Sequence, residues 1–197
     1  TMSTTGNATD YGDRTATVNS VGGLASSTRA IFGGGSPNSN ILDYVTINTT
    51  GDAIDFGDLT AVKNSPAGSN SFTRGLFSGG QPVSPIDSIQ IASLGNATDF
   101  GDLANTARHN EGASSSTRAV FGGGYDGTAE AVTDKVQYIE IASQGNAIDY
   151  GDLTQAVYQP AATSNSMRGI FGSGGNTSSD IIDYLMIATG GTAVDFG

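Results

Sequence analysis

One four-residue word recurs along the chain and restricts its fold more than any other feature. It is Asp-aromatic-Gly-Asp, at Asp10-Tyr11-Gly12-Asp13, Asp55-Phe56-Gly57-Asp58, Asp99-Phe100-Gly101-Asp102 and Asp149-Tyr150-Gly151-Asp152, with a shortened copy at Asp195-Phe196-Gly197. Successive copies start 45, 44, 50 and 46 residues apart. A second word, Arg-small-aliphatic-Phe, begins at Arg29, Arg74, Arg118 and Arg168 and leads towards glycines. A third segment alternates apolar and polar residues over 41–47, 85–91, 135–141 and 181–187. Such a period marks a tandem array, in which each unit buries its apolar face only against neighbours. The chain is read as a single repeat domain, 1–197, with units over approximately 6–50, 51–94, 95–144 and 145–190. Residues 1–12 and 186–197 align with each other as a duplicated end segment.

Each unit reads as four short strands. Tyr44-Val45-Thr46-Ile47 and Tyr138-Ile139-Glu140-Ile141 have the period of two of a half-buried strand. A turn with glycine beside Asn or Asp follows (Gly51-Asp52, Gly95-Asn96, Gly145-Asn146), as a tight hairpin requires. A short strand is expected near 24–27, then the Arg word, ended by Gly33-Gly34-Gly35. No helical period runs longer than a turn or two. The expected fold is all-β, a propeller-type array of four-stranded antiparallel blades. Ile31, Phe32, Val45, Ile47, Ile54 and Phe56 are the expected first layer between blades. A β-solenoid is the alternative, weakened by the hairpin spacing.

Eight basic residues against 19 acidic ones give a net charge of -11. A phosphate backbone demands the opposite balance, so nucleic acid is not an expected partner. No apolar run approaches the ~20 residues of a spanning helix, so no membrane insertion is expected. With no cysteine and one histidine, disulfides and a Cys/His metal cluster are excluded.

The order of arginine, short apolar strand, glycine run, alternating strand and final aromatic resembles a kelch repeat, with Tyr11, Phe56, Phe100 or Tyr150 where kelch repeats carry tryptophan. The phrases Ser-Thr-Arg-Ala-Ile-Phe-Gly-Gly-Gly and Gly-Asn-Ala-Thr-Asp-Phe-Gly-Asp-Leu are similar to kelch-like repeats in tail-fibre and structural proteins of marine bacteriophages, cyanophages especially. That resemblance implies a virion or extracellular location and a role in a fibre or surface assembly.

Three sets of residues bear on chemistry. The paired carboxylates Asp55/Asp58, Asp99/Asp102 and Asp149/Asp152, like Asp10/Asp13, have acid–base or cation-site spacing. They recur in every unit around a glycine, which favours turn hydrogen bonding. Arg29, Arg74, Arg118 and Arg168 could ring an anion, but one Arg and two Asp per unit favour structural Arg–Asp pairs. His109 lies in a loop-like stretch without a nucleophile elbow. The connections that differ most between units are 36–40, 81–84, 125–134 and 176–180. The longest carries Tyr125, Asp126 and Glu130, which with His109 form the candidate ligand-binding set. No cofactor and no metal are expected. The expected function is a non-enzymatic structural and binding module contacting a host glycan or neighbouring subunits. A carbohydrate-binding lectin and a propeller lyase or glycosidase are the alternatives. The duplicated end admits a longer array, a four-bladed ring with a spare end, or an open edge that pairs with another copy.

Overall fold

The computed structural model describes residues 6–80, 84–175 and 180–197. They form strands, turns and irregular segments with no helix. Four antiparallel four-stranded sheets follow one another along the chain. The first is β1 (Gly22–Ala25), β2 (Arg29–Gly33), β3 (Ser39–Thr46) and β4 (Ile54–Lys63). The second is β5 (Ala67–Asn70), β6 (Arg74–Ser78), β7 (Pro85–Gln90) and β8 (Thr98–Asp102). After a two-residue β9 (Ala107–Arg108), the third sheet opens with β10 (Glu111–Ser114) and β11 (Arg118–Gly122). A small insertion, β12 (Tyr125–Asp126) and β13 (Ala131–Val132), precedes its last strands, β14 (Lys135–Glu140) and β15 (Ile148–Asp152). The fourth is β16 (Ala161–Ser164), β17 (Arg168–Gly172), β18 (Ile182–Met186) and β19 (Val194–Asp195). Each sheet is a simple meander, and β13-β12-β9 make a fifth, three-stranded sheet.

The sequence units and the sheets are out of phase. The Asp-aromatic-Gly-Asp word is the outermost strand of the sheet that begins before it, since β4 pairs with β3 through Leu42↔Gly57 and Asp43↔Asp55. That pairing skips Phe56. The same bulge skips Phe100 between Ile86 and Asp87, and Tyr150 between Val136 and Gln137. A bulge leaves one residue outside the ladder and turns its backbone aside. Here the freed carbonyl points to the next unit.

The first strands of successive sheets pack side by side, β1 on β5, β5 on β10 and β10 on β16. Close approach of backbones makes this possible. A Cβ added at Gly112 would lie 2.5 Å from the Gly68 carbonyl oxygen. Three apolar clusters fill the gaps between sheets. Leu24, Ile31, Leu42 and Phe56 of the first sheet meet Phe77, Ile89 and Ile91 of the second. Leu76, Ile86 and Phe100 meet Phe121, Ile139 and Ile141, and Val120 and Val136 meet Phe171, Leu185 and Ile187. Each side chain of this size contributes ~1.5–3 kcal/mol when buried, so stability resides in the junctions. Ile31 and Phe56 belong to the first junction, but Ile47 and Ile54 are 40% and 58% exposed. The first strand also lies slightly earlier than expected, at 22–25.

Candidate functional site

The repeated word joins one unit to the next through its backbone, while its first carboxylate holds the local turn. The first Asp of each copy accepts a hydrogen bond from the glycine N–H two residues on, at 3.1 Å for Asp55–Gly57, 3.2 Å for Asp99–Gly101 and 3.3 Å for Asp149–Gly151. The carbonyls of Phe56 and Asp58 accept from Gly95 and Ala97 of the next hairpin turn, at 2.9 and 2.7 Å. Phe100 and Asp102 do the same for Gly145 and Ala147, and Tyr150 and Asp152 for Gly191 and Ala193. The turn answers: Asn96 and Asn146 side chains accept from the Asp58 and Asp102 amides at 3.1 and 3.0 Å. Gly57 has φ +141°, and a Cβ there would lie 2.6 Å from the Gly95 backbone. The word is thus a clamp made of backbone, and its glycine is required by contact as well as conformation.

The repeated arginines serve the same junctions, but aspartate is not their partner. Arg29 donates to the Ile91 carbonyl at 2.8 Å, and Arg74 to that of Ile141 at 2.6 Å. Arg118 donates to the carbonyls of Ile187 and Ala188 and to the Glu140 carboxylate, the latter at 2.5 Å. Their guanidinium planes also lie over rings, Tyr44, Phe100 and Tyr138 respectively, at 4.7, 5.3 and 4.9 Å. Arg168 is exposed and lies 4.9 Å over Tyr184. A carbonyl at a strand end is fixed in place, whereas an aspartate must be immobilised to pair.

A set of buried carboxylates escaped the sequence reading. Asp43, Asp87 and Asp183 are 0%, 0% and 3% exposed. Each accepts from a threonine hydroxyl two residues past the preceding word, Thr15, Thr60 and Thr154, and Asp43 and Asp87 sit beside the bulge. In the third sheet that threonine is replaced by Ala104, and the carboxylate by Gln137, whose Oε1 accepts from the Asn105 amide at 3.1 Å. The paired change within one chain was the available signal. Lys63, wholly buried, lies 3.8 Å from Asp87 and donates to the Pro85 carbonyl. Burial lowers the Lys63 ammonium and raises the Asp87 carboxyl, outweighing their attraction.

The chemistry that is not spent on the scaffold collects where four equivalent turns meet. Ser20, Ser65, His109 and Gln159 occupy one repeat position, each with positive φ, from 53° to 60°. All four line one cavity of about 140 Å³, with Val21, Pro66, Asn110, Glu111 and Pro160. Backbone hydrogen bonds link successive turns, Ser65 to Ser20 at 3.1 Å and His109 to Ser65 at 3.4 Å. Gln159 Nε2 and His109 Nδ1 are 3.1 Å apart, and Tyr158 packs on the imidazole at 4.8 Å. Burial, with the charge of Arg108, holds His109 below the ordinary range. Burial pushes the Glu111 carboxyl up to about 7. Asn110 is 2% exposed, with neither amide atom hydrogen-bonded to protein. The third unit alone supplies His-Asn-Glu; the others have Ser20-Val21-Gly22, Ser65-Pro66-Ala67 and Gln159-Pro160-Ala161. Comparing those columns would have found Glu111.

The structure separates the candidate ligand set. His109 lines the cavity; Asp126, Tyr125 and Glu130 do not. The segment 125–134 is not an open loop but a hairpin that adds to β9 through Tyr125↔Arg108 and Asp126↔Ala107. Asp126 is buried and accepts from the Thr128 and Ala129 amides at 2.7 and 3.1 Å, so it holds the turn. Tyr125 is half-buried, with the Arg108 guanidinium 4.5 Å over its ring. Glu130 is exposed at the turn with φ 52°. Of the other variable connections, 81–83 and 176–179 lie outside the described residues. Among the described residues, no group of three His, Asp or Glu side chains could hold a metal ion. No protein-family model matches the chain, and a search of curated proteins gives no match.

Proposed function

We propose that this chain is a non-enzymatic structural and binding module, its four meanders acting as blades of a kelch-like propeller in a fibre or surface assembly. The observation that carries this reading is a division of labour. The repeated words, which look catalytic, are engaged in unit-to-unit backbone hydrogen bonds, while His109, Asn110 and Glu111, which have no like counterpart in the other units, line one cavity with Ser20, Ser65 and Gln159. Side-by-side first strands and a cavity shared by all four turns are consistent with blades around an axis. The cavity offers donors and acceptors without an activated nucleophile: two serines, an imidazole, an amide pair and a carboxyl. That complement suits a neutral polyhydroxylated ligand, a host glycan in the fibre reading. A lectin with one pocket per unit fits less well, because the four turns contribute unequal groups to one place.

A glycan array followed by calorimetric titration tests the proposal, with His109→Ala and Gln159→Ala as probes. Saccharide binding that each change weakens at least about tenfold, equivalent to ~1.4 kcal/mol, without release of product, is the expected result. Binding indifferent to both changes, or turnover of a bound saccharide, would overturn it.

A further inference from the structure

The repeat is broken at one position on the face that the second sheet turns towards the third. The middle of the third strand carries a tyrosine in three sheets, Tyr44, Tyr138 and Tyr184, and a serine, Ser88, in the second. Register makes the four equivalent: Tyr44 pairs with Ile31 and Ile54, Tyr138 with Val120 and Ile148, Tyr184 with Ile170 and Val194, and Ser88 with Leu76 and Thr98. Where the ring is present, the repeated arginine lies over it, Arg29, Arg118 and Arg168 at 4.7, 4.9 and 4.9 Å. The ring also meets the aromatic of the repeated word, at 6.0 Å for Tyr44–Phe56, 4.4 Å for Tyr138–Tyr150 and 5.8 Å for Tyr184–Phe196. In the second sheet Arg74 has no such ring and lies over Phe100 instead, at 5.3 Å. Two further changes accompany the serine. Thr98 stands where the other sheets have Ile54, Ile148 and Val194, and Leu94 stands where the other turns have Thr50, Gln144 and Gly190. Ser88, Leu94 and Thr98 line one open cavity of about 180 Å³, together with Gln90 and Asn96. The Ser88 and Thr98 hydroxyls are 3.1 Å apart, and Leu94 is 55% exposed. Bulk is thus lost from the floor of the cavity while apolar surface is gained at its rim.

We propose that this cavity binds a phenol ring presented by a partner polypeptide, a tyrosine side chain that takes the place Tyr44, Tyr138 and Tyr184 fill from within the chain. The sister sheets identify the occupant, because they show what the same frame holds: a planar ring between the third strand and a guanidinium. Arg118 lies over Tyr138 and also, at 5.9 Å, over Tyr150, so one guanidinium serves two rings. Arg74 can therefore take the incoming ring while it stays on Phe100. Leu94 would cover the outer edge of the ring, and the Ser88 and Thr98 hydroxyls would meet the polar groups that a polypeptide brings with its side chain. A pyranose ring has no π face to offer the guanidinium and gains less from this frame. The site is separate from the cavity shared by the four turns and does not depend on the ligand bound there.

Heteronuclear NMR titration of the whole chain with N-acetyl-tyrosinamide tests the proposal, with N-acetyl-leucinamide and methyl glucopyranoside alongside. The tyrosine compound should give saturable shifts at the amides of Leu94, Asn96 and Thr98, with a dissociation constant in the millimolar range that suits one small ring. The leucine compound should bind at least about threefold more weakly, having no ring for the guanidinium, and the pyranoside should shift none of these amides. Ser88→Tyr should keep the fold, since three sheets carry tyrosine there, and should weaken binding at least about tenfold by filling the site from within. Leu94→Gln places the residue of the third turn on an exposed position and should weaken binding about threefold through lost apolar cover. Absence of saturable shifts at these amides up to the solubility limit of the tyrosine compound would overturn the proposal. So would equal binding of the leucine compound or the pyranoside, or binding unchanged by Leu94→Gln or by Ser88→Tyr in a folded protein.

Discussion

Replacing Glu111 by glutamine should stabilise the protein above neutral pH and do almost nothing in acid. Glu111 lines the cavity shared by the four turns at a position that is Gly22, Ala67 and Ala161 in the other units, and burial raises its carboxyl from an ordinary 4.5 to about 7. Below pH 4.5 the group is protonated in folded and unfolded chains alike, and the favourable proton uptake of the folded form is fully present. As pH rises through about 7, the folded protein must ionise a poorly solvated carboxyl, and that contribution is lost. A rise of about 2.5 pH units at 1.36 kcal/mol each amounts to about 3 kcal/mol. Glutamine keeps the shape and never ionises. Urea unfolding of both proteins at intervals from pH 4.5 to 8.5 should therefore show coincident midpoints in acid and a gap that opens between pH 5 and 8. With a urea slope of ~3 kcal/mol/M, the gap approaches ~1 M. A gap of equal size at every pH would refute the reasoning, because it would trace the effect to packing or hydrogen bonding rather than to ionisation.

The buried pair offers a second test: Asp87→Ala should cost ~3–5 kcal/mol by leaving Lys63 unpaired in the interior, whereas Lys63→Val, the residue at the equivalent positions 18 and 157, should cost less, because Asp87 keeps the Thr60 amide and hydroxyl just as Asp183 keeps those of Thr154. Adding Asp87→Ala to the Lys63→Val protein should then cost less than it does alone, as a double-mutant cycle in urea would measure. Gly57→Ala should lower stability by more than ~2 kcal/mol, combining a positive φ with a contact at 2.6 Å to the next turn, while Gly51→Ala meets no atom within 4 Å and should suffer only the conformational part. Arg74→Ala should cost ~1.5–3 kcal/mol through its lost carbonyl bonds, and Arg168→Ala under ~0.5 kcal/mol in the monomer, both read from thermal unfolding of dilute protein.

The array and its strands were legible because repetition multiplies a weak signal: one Asp-Phe-Gly-Asp is only a turn, and four in register mark a strand in each unit. What the pattern hid was direction. Phe56 was expected in the core and is there, but the bulge that turns its carbonyl to Gly95 leaves no trace in alternation. The arginine partners were misjudged for a related reason. Charge counting pairs Arg with Asp, yet a backbone carbonyl is invisible in composition and already held in place at Ile91 and Ile141. Ile47 was expected in the core because its equivalents belong there; its exposure reflects position in the array, which local sequence does not encode. His109 stands out in the sequence as the only histidine, while Glu111 two residues later is one carboxylate among 19. Tyr125 looked free because the hairpin beneath it depends on Asp126 holding the turn, a contact local propensity underrates.

The exchange of Ala104 and Gln137 for the usual threonine and aspartate has a consequence for how the array comes apart. In a nearest-neighbour array, stability is a sum of unit and junction contributions, and unfolding concentrates at the weakest junction. Two seams are fastened by a carboxylate taking charge-assisted hydrogen bonds from threonine, and the seam between the second and third sheets by a neutral amide. The additional hairpin lies across that same seam, where β9 from one side pairs with β12 from the other and Asn105 reaches Asp126 at 3.3 Å. The insertion therefore works as a splint. Removing the hairpin should lower the cooperativity of unfolding at that seam, read as a calorimetric enthalpy that exceeds the van't Hoff value.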